Sequence, residues 1–278
     1  MTENKITIVI NTFKSKKKLL KCLDSIESQY KIIIIENSKD NIFKSEIENK
    51  FSNLKCFITG SNLGYANGNN LGLSKVETKY ALILNPDAIL DKYAIKNFLK
   101  TANEIKKFAI IAPATQESNE IKNKIKLITE VEMVKGFAMF LNLEEFKDIG
   151  FFDSNFFIYL EEIDLCKRLR RKNKKIFLDP SILIKHQGGS SHDSEHNYEM
   201  ELSRNWHWMW SLFYYNRKQK GFFLAIFLIL PYLFSSLIKT IFYFCMQNDV
   251  KKLIYKQRLS GLLNSILGKK SWYRPKVY

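Results

Sequence analysis

Short apolar runs alternate along the chain with stretches of helical periodicity. Residues 6–10 (ITIVI), 32–35 (IIII) and 80–84 (YALIL) are nearly continuous apolar runs, as expected of strands buried on both faces. Between the first two, Leu19, Leu20, Leu23 and Ile26 recur on one helical face behind Ser15, a candidate N-cap. Further helices are expected over 42–51 and 91–105, and further strands over 54–58, 108–112, 134–141, 176–178 and 182–184. Strand–helix alternation with fully apolar strands predicts an α/β fold with a mainly parallel sheet covered on both faces. In such sheets ligands bind beyond the carboxyl ends of the strands.

Those ends are polar. The first run closes on Asn11-Thr12, the second on Glu36-Asn37, and the third on Asn85-Pro86-Asp87. Each is also an ordinary turn sequence; two in register favour a nucleotide site. A carboxylate beside Pro after a central strand suits Mg²⁺ or Mn²⁺, hard cations that prefer oxygen. Between them, residues 61–72 (SNLGYANGNNLG) hold three Gly and four Asn. That composition allows close backbone approach to a ligand, but equally describes a loop leading into a helix. Neither the P-loop nor the dinucleotide fingerprint is present.

Residues 151–166, FFDSNFFIYLEEIDLC, run from aromatics into Glu161, Glu162 and Asp164. Ile163, Cys166 and Leu169 place these acids at the start of a helix, where backbone amides favour negative charge. The stretch reads either as an acidic first turn or as a catalytic carboxylate beside an aromatic wall. Further on, His186 ends a strand, and His192 and His196 follow. Their spacing does not complete a recognised zinc set.

Charge is divided unevenly. From residue 165 onward there are 21 Lys and Arg against 6 Asp and Glu, whereas residues 1–164 are nearly balanced. Residues 221–238 are uncharged and apolar, with Pro231 near their middle and basic clusters on both sides. That pattern predicts a monotopic or re-entrant helical pair on an anionic membrane surface; a buried hairpin or a homodimer interface is the alternative. Nucleic-acid binding is not expected, because the charge lies beside a run suited to lipid. The four scattered Cys read as reduced thiols, and the amino-terminal residues lack the layout of a secretory leader.

Together, the strand ends at 11–13 and 36–38, NLGYANGNNLG, LNPD at 84–87, GFFDSNFFIYLEEIDLCKRLR and the following His-Gln-Gly-Gly-Ser resemble bacterial glycosyltransferase family 2. Its rhamnosyltransferase-like branch is the nearest likeness, spanning about residues 5–192. The resemblance implies a GT-A fold, a Rossmann-like nucleotide-binding half plus an acceptor-binding half. It divides the chain into a glycosyltransferase domain at 1–200 and a helical membrane-associated region at 201–278. Thr12, Glu36 and Asn62 would line the base and ribose pocket, with Asn11, Asn37, Gly64 and Asn69 completing the donor surface. Asp87 would hold the metal, Asn85 standing where the family's first Asp is usual, and His186 would be a further metal ligand. Glu162 matches the general base, with Glu161 and Asp164 as competitors. Glu36 and Glu162 each stand where Asp is usual, which moves the carboxylate by roughly 1.5 Å. The implied reaction is inverting transfer of a sugar, a deoxyhexose such as rhamnose, from a dTDP- or UDP-sugar. The implied acceptor is a polyprenyl-diphosphate-linked or cell-surface glycan at the cytoplasmic face of a bacterial inner membrane. A catalytically inactive assembly partner is the alternative.

Overall fold

The computed structural model describes residues 5–114, 127–186 and 192–277. The 187–191 part of the His-Gln-Gly-Gly-Ser motif lies outside them. The chain forms two compact units: Met1–Phe152 with Glu162–Ser194, and Asp153–Glu161 with Glu195–Tyr278.

The first unit is built on a mixed sheet. In chain order it contains β1 (Ile6–Thr12), α1 (Lys16–Asp24), β2 (Lys31–Glu36), α2 (Asn41–Lys50), β3 (Leu54–Ile58), α3 (Gly64–Leu73), β4 (Tyr80–Leu84), β5 (Ala88–Leu90) and α4 (Ala94–Ile105). There follow β6 (Ile110–Pro113), β7 (Thr129–Glu130), β8 (Ala138–Asn142), α5 (Glu161–Arg171), β9 (Ile176–Asp179) and β10 (Ile184–His186). The main sheet has the order β3-β2-β1-β4-β8-β6-β9-β7, and β5 pairs with β10 in a separate ribbon. Pairing is parallel from β3 through β4, as the apolar runs predict. At β8 the direction reverses, since that strand is antiparallel to both β4 and β6. All five β8 residues are buried, and double-faced burial carries no signal of direction. Ile6, Ile8 and Ile10 of β1 are fully buried, each contributing about 1.5–3 kcal/mol of transfer free energy.

Two local expectations change. Ser15 occupies the N-cap position of α1, yet its hydroxyl donates to the Phe13 carbonyl at 2.9 Å and makes no capping bond. The Gly/Asn segment is mostly helix: α3 begins at Gly64. Gly68 and Gly72 lie one turn apart against the sheet. A Cβ on Gly68 would meet Asn11 Oδ1 at 2.3 Å, and one on Gly72 would meet Val9 Cγ1 at 2.4 Å. Glycine here permits close helix–sheet approach.

The second unit comprises α6 (Asn197–Lys220), α7 (Phe222–Cys245) and α8 (Asp249–Ile266). Gly221, at φ +85°, makes the turn between α6 and α7. A Cβ on Gly261 of α8 would lie 2.2 Å from the Trp206 carbonyl oxygen, so α6 and α8 meet nearly backbone to backbone. Met209, Phe213, Ala225, Ile229 and Leu262 form the apolar centre. Residues 153–161 pack onto α6 almost residue by residue. Asp153 accepts from Lys218 (2.6 Å) and from the Tyr214 hydroxyl (3.0 Å). Phe156 meets Tyr214 edge-on, and Phe157 stacks on His207 at 4.2 Å. Phe156 and Phe157 are therefore core, whereas Tyr159 reaches a cavity described below. Burial pushes the His207 imidazole down to about 3, and the neutral ring bonds the Tyr273 carbonyl at 2.8 Å.

Candidate active site

At the carboxyl ends of β1 and β2, Thr12 lies opposite Glu36 in register, and both are buried. Burial pushes the Glu36 carboxyl up to about 7, the Ser38 hydroxyl and Lys14 opposing the rise and Asp40 adding to it. A carboxyl poised there can donate as well as accept a hydrogen bond near neutrality. The Thr12 hydroxyl is buried and has no hydrogen-bond partner among the described residues. Asn11 and Asn37 have a positioning task. Asn37 donates its side-chain amide to Asn11 Oδ1, while Asn11 donates to the Gly64 and Tyr65 carbonyls at 2.9 and 3.3 Å. The Leu63 amide donates to Asn37 Oδ1 at 3.3 Å, and that of Gly64 to Asn62 Oδ1 at 3.0 Å. Three asparagine-mediated bonds, from Asn11 to the Gly64 and Tyr65 carbonyls and from the Leu63 amide to Asn37, thus tie the start of α3 to the strand ends. Asn69, fully buried within α3, donates to Tyr65 at 2.9 Å.

The end of β4 is set by a tight turn. The Asn85 amide donates to the Phe137 carbonyl at 2.8 Å, and the Asn85 carbonyl accepts from Ala88 at 3.1 Å. Asp87 is thereby brought, buried, to the edge of β5. The antiparallel β5–β10 pairing sets His186 opposite Ala88. His186 Nε2 stands 3.3 Å from Asp87 Oδ1, and the imidazole stacks on Phe137 at 4.5 Å. Cys22 lies close by, its thiol 3.7 Å from the Asn85 carbonyl oxygen. Burial, with help from the Asp87 charge, pushes that thiol far up, so it is inert as a nucleophile. Among the described residues no cluster of three or more His, Cys, Asp and Glu could hold a metal. A carboxylate with one imidazole nevertheless fits a Mg²⁺ or Mn²⁺ site, since these ions commonly take one or two protein donors and complete their shell with phosphate oxygens and water.

The three candidate acids differ in their surroundings. Asp164 is fully buried and paired with Arg168 at 2.9 Å; the same guanidinium donates to the Ile149 carbonyl at 2.9 Å and to that of Phe151. Asp164 thus belongs to a network that fastens α5 to the preceding loop. Glu161 is buried at the first position of α5. Glu162, partly buried, has its carboxyl pushed up by burial, with the helix-start amides of Glu162 and Ile163 opposing. Just before these acids Tyr159 and Leu160 adopt left-handed φ values of +76° and +68°. Such backbone costs about 1–3 kcal/mol per residue and concentrates at functional sites.

One strip of backbone joins these pieces. Gly136 accepts from the Tyr65 hydroxyl, and a Cβ built on Gly136 would lie 3.7 Å from Glu162 Cβ. The next residue, Phe137, bonds Asn85 and stacks on His186. Tyr65 also meets Phe152 edge-on at 5.6 Å, while Asn70 exchanges two bonds with the Phe152 backbone, at 2.8 and 3.0 Å. Tyr65 and Phe137 were not among the residues singled out by sequence. Their signals are an aromatic inside a run of small polar residues and an aromatic directly after Gly136.

Residues 7–166 match the family model described as Glycosyl transferase family 2. The chain belongs to glycosyltransferase family 2. Its relatives include the rhamnosyltransferase WbbL of Escherichia coli, 25% identical over 239 residues, covering 73% of this chain and 88% of the relative. The low-salt glycan biosynthesis hexosyltransferase Agl10 of Haloferax volcanii is 25% identical over 197 residues, covering 62% of this chain and 63% of the relative. This family member thus spans less than two thirds of Agl10. Among solved structures, the mannosyltransferase PcManGT of Pyrobaculum calidifontis, in complex with GDP-Man and Mn²⁺, superposes with a TM-score of 0.62 at 9% identity. That match covers 96% of this chain and 88% of the other, and agrees with a GT-A fold.

Proposed function

We propose that the protein is an inverting, metal-dependent glycosyltransferase that moves a sugar from a nucleotide-diphosphate donor to a lipid-linked or cell-surface glycan. The observation that carries this reading is the Gly136–Phe137 strip, which neighbours both the Asp87–His186 pair and Glu162. Thr12 and Glu36 face the donor base and ribose, and the asparagine clamp holds the loop at Asn62 beside them. Asp87 and His186 would hold a divalent cation, which when bound offsets charge on the departing diphosphate as a Lewis acid. Glu162 takes the proton of the acceptor hydroxyl as that oxygen bonds to the anomeric carbon. The bond from this carbon to the diphosphate oxygen breaks, and its electron pair leaves with the diphosphate. A single displacement inverts the configuration. The raised carboxyl makes Glu162 a stronger proton acceptor at neutral pH than an exposed glutamate. Asp164, committed to Arg168, is a positioning residue in this scheme.

The likeness to WbbL supports rhamnose, carried by a dTDP- or UDP-donor, as the sugar. Helix α7 is long and apolar enough to cross a membrane, and most of it is exposed, which supports attachment to a membrane, here proposed at its cytoplasmic face. Purified protein presented with a panel of nucleotide sugars and an acceptor extract tests the reading through released nucleoside diphosphate. Release is expected with one or a few donors, abolished by Glu162→Gln and by Asp87→Asn; release unchanged in both variants overturns the assignment.

A further inference from the structure

The helical unit holds a cavity of about 290 Å³ lined by Tyr159, Glu201, Arg204, Asn205, Trp208 and Arg258. Two guanidiniums from two different helices, Arg204 on α6 and Arg258 on α8, line it together with one carboxylate, Glu201. Glu201 is held from within its own helix, by Arg204 at 3.5 Å and by Asn205 at 3.4 Å. Arg258 donates one weak bond, 3.3 Å, to the Asn205 side-chain oxygen, and its Nε–H is buried with no hydrogen-bond partner among the described residues. A buried guanidinium N–H without an acceptor is costly and suits an oxyanion. The remaining wall is aromatic: Tyr159 and Trp208 meet edge-on at 5.5 Å. Burial pushes the Tyr159 phenol up to about 12, so it stays a neutral donor. Fork-shaped donors beside aromatic faces match a phosphate next to a sugar ring.

The surroundings say what carries that phosphate. Tyr255 lies one turn before Arg258 on α8; its ring stacks on Tyr243 of α7 at 5.5 Å, with Lys239 Nζ 5.1 Å from the ring centre. Helix α7 exposes Phe227, Phe234, Ile238 and Phe244. An anion pocket one helical turn from a long exposed apolar helix suits a ligand with a charged head and an apolar tail. The geometry points to this cavity as the docking site for the diphosphate head of a lipid-borne acceptor, Arg204 and Arg258 gripping phosphate oxygens while Tyr159 and Trp208 pack the adjoining sugar. The inference rests on the lipid-linked acceptor proposed above and gives that acceptor an anchoring point. Tyr159 stands only three residues before Glu162 in the chain.

The test is binding, not turnover. Full-length protein is titrated with nanodiscs of phosphatidylcholine alone, with added polyprenyl diphosphate, or with phosphatidylglycerol at matched charge. Wild type should prefer the diphosphate discs. Arg258→Gln and Trp208→Ala should each weaken that binding by about tenfold, with nucleoside-diphosphate affinity and melting temperature kept. Arg258→Lys should restore it only in part, because a point charge replaces a fork. Wild type binding no better to diphosphate discs than to phosphatidylcholine discs overturns the lipid-linked reading itself. Preference in wild type retained in both Arg258→Gln and Trp208→Ala overturns the cavity alone. Equal losses on phosphatidylglycerol discs also overturn it, assigning the cavity to bulk anionic lipid.

Discussion

The two units depart from the usual rules of burial in opposite directions. In the sheet unit Glu36 and Asp87 are only 4% and 5% exposed, and Glu162 is held at a raised protonation range. In the helical unit Phe223 and Phe227 on α7 are 88% and 69% exposed. Burying a carboxylate costs desolvation energy, and so does leaving a row of aromatics in water. In the proposed reading the polar strand ends take a charged ligand and the apolar helix an apolar surface. Even within α5 the contrast holds. Asp164 is paired with its arginine, whereas the Glu162 carboxyl is pushed up by burial against the opposing helix-start amides.

Glu162→Gln is expected to have the largest effect. Transfer should fall by about 10²–10⁴-fold with donor affinity preserved, as measured by steady-state kinetics and calorimetry. If Glu162 is the base, wild-type activity rises with pH through its raised range, and this limb vanishes in the variant. Second is Arg168→Met, which strands the buried Asp164 and should cost about 3–5 kcal/mol in urea unfolding; an unchanged midpoint would erase the contrast between the two acids. Third is the pH dependence of stability. Glu36 titrates near 7 when folded and near 4.5 when free, so between those values the folded state binds more protons. Stability therefore declines as pH rises through that window, by at most about 3 kcal/mol for this group, and Glu36→Gln should flatten the slope. Smallest in stability is the double change Phe223→Ser with Phe227→Ser. Unfolding free energy should move by about 0.5 kcal/mol or less, yet flotation with anionic vesicles should drop sharply.

The sheet unit was largely readable as β-branched runs and polar strand ends, because two-faced burial and turn chemistry are local signals. What escaped reading is non-local. The reversal at β8 left no trace in five uniformly buried residues. The β5–β10 ribbon joins residues nearly a hundred positions apart, and only it explains why His186 reaches Asp87. Residues 153–161 look like a site wall, yet their aromatics are mostly core of the helical unit, since α6 supplies the partners. One signal was local and available: Asp164 and Arg168 stand four apart on a helix, the spacing of an intrahelical ion pair.

If the strand ends of the sheet unit form a metal-assisted nucleotide-sugar site, affinity for a nucleoside diphosphate depends on a divalent cation and on Asp87. Calorimetric titration of a nucleoside diphosphate, with and without Mn²⁺, into wild type and Asp87→Asn tests it directly. Binding should strengthen at least about tenfold with Mn²⁺ in wild type and lose that gain in the variant. Affinity indifferent both to the cation and to Asp87→Asn would rule out a metal-assisted site at these strand ends.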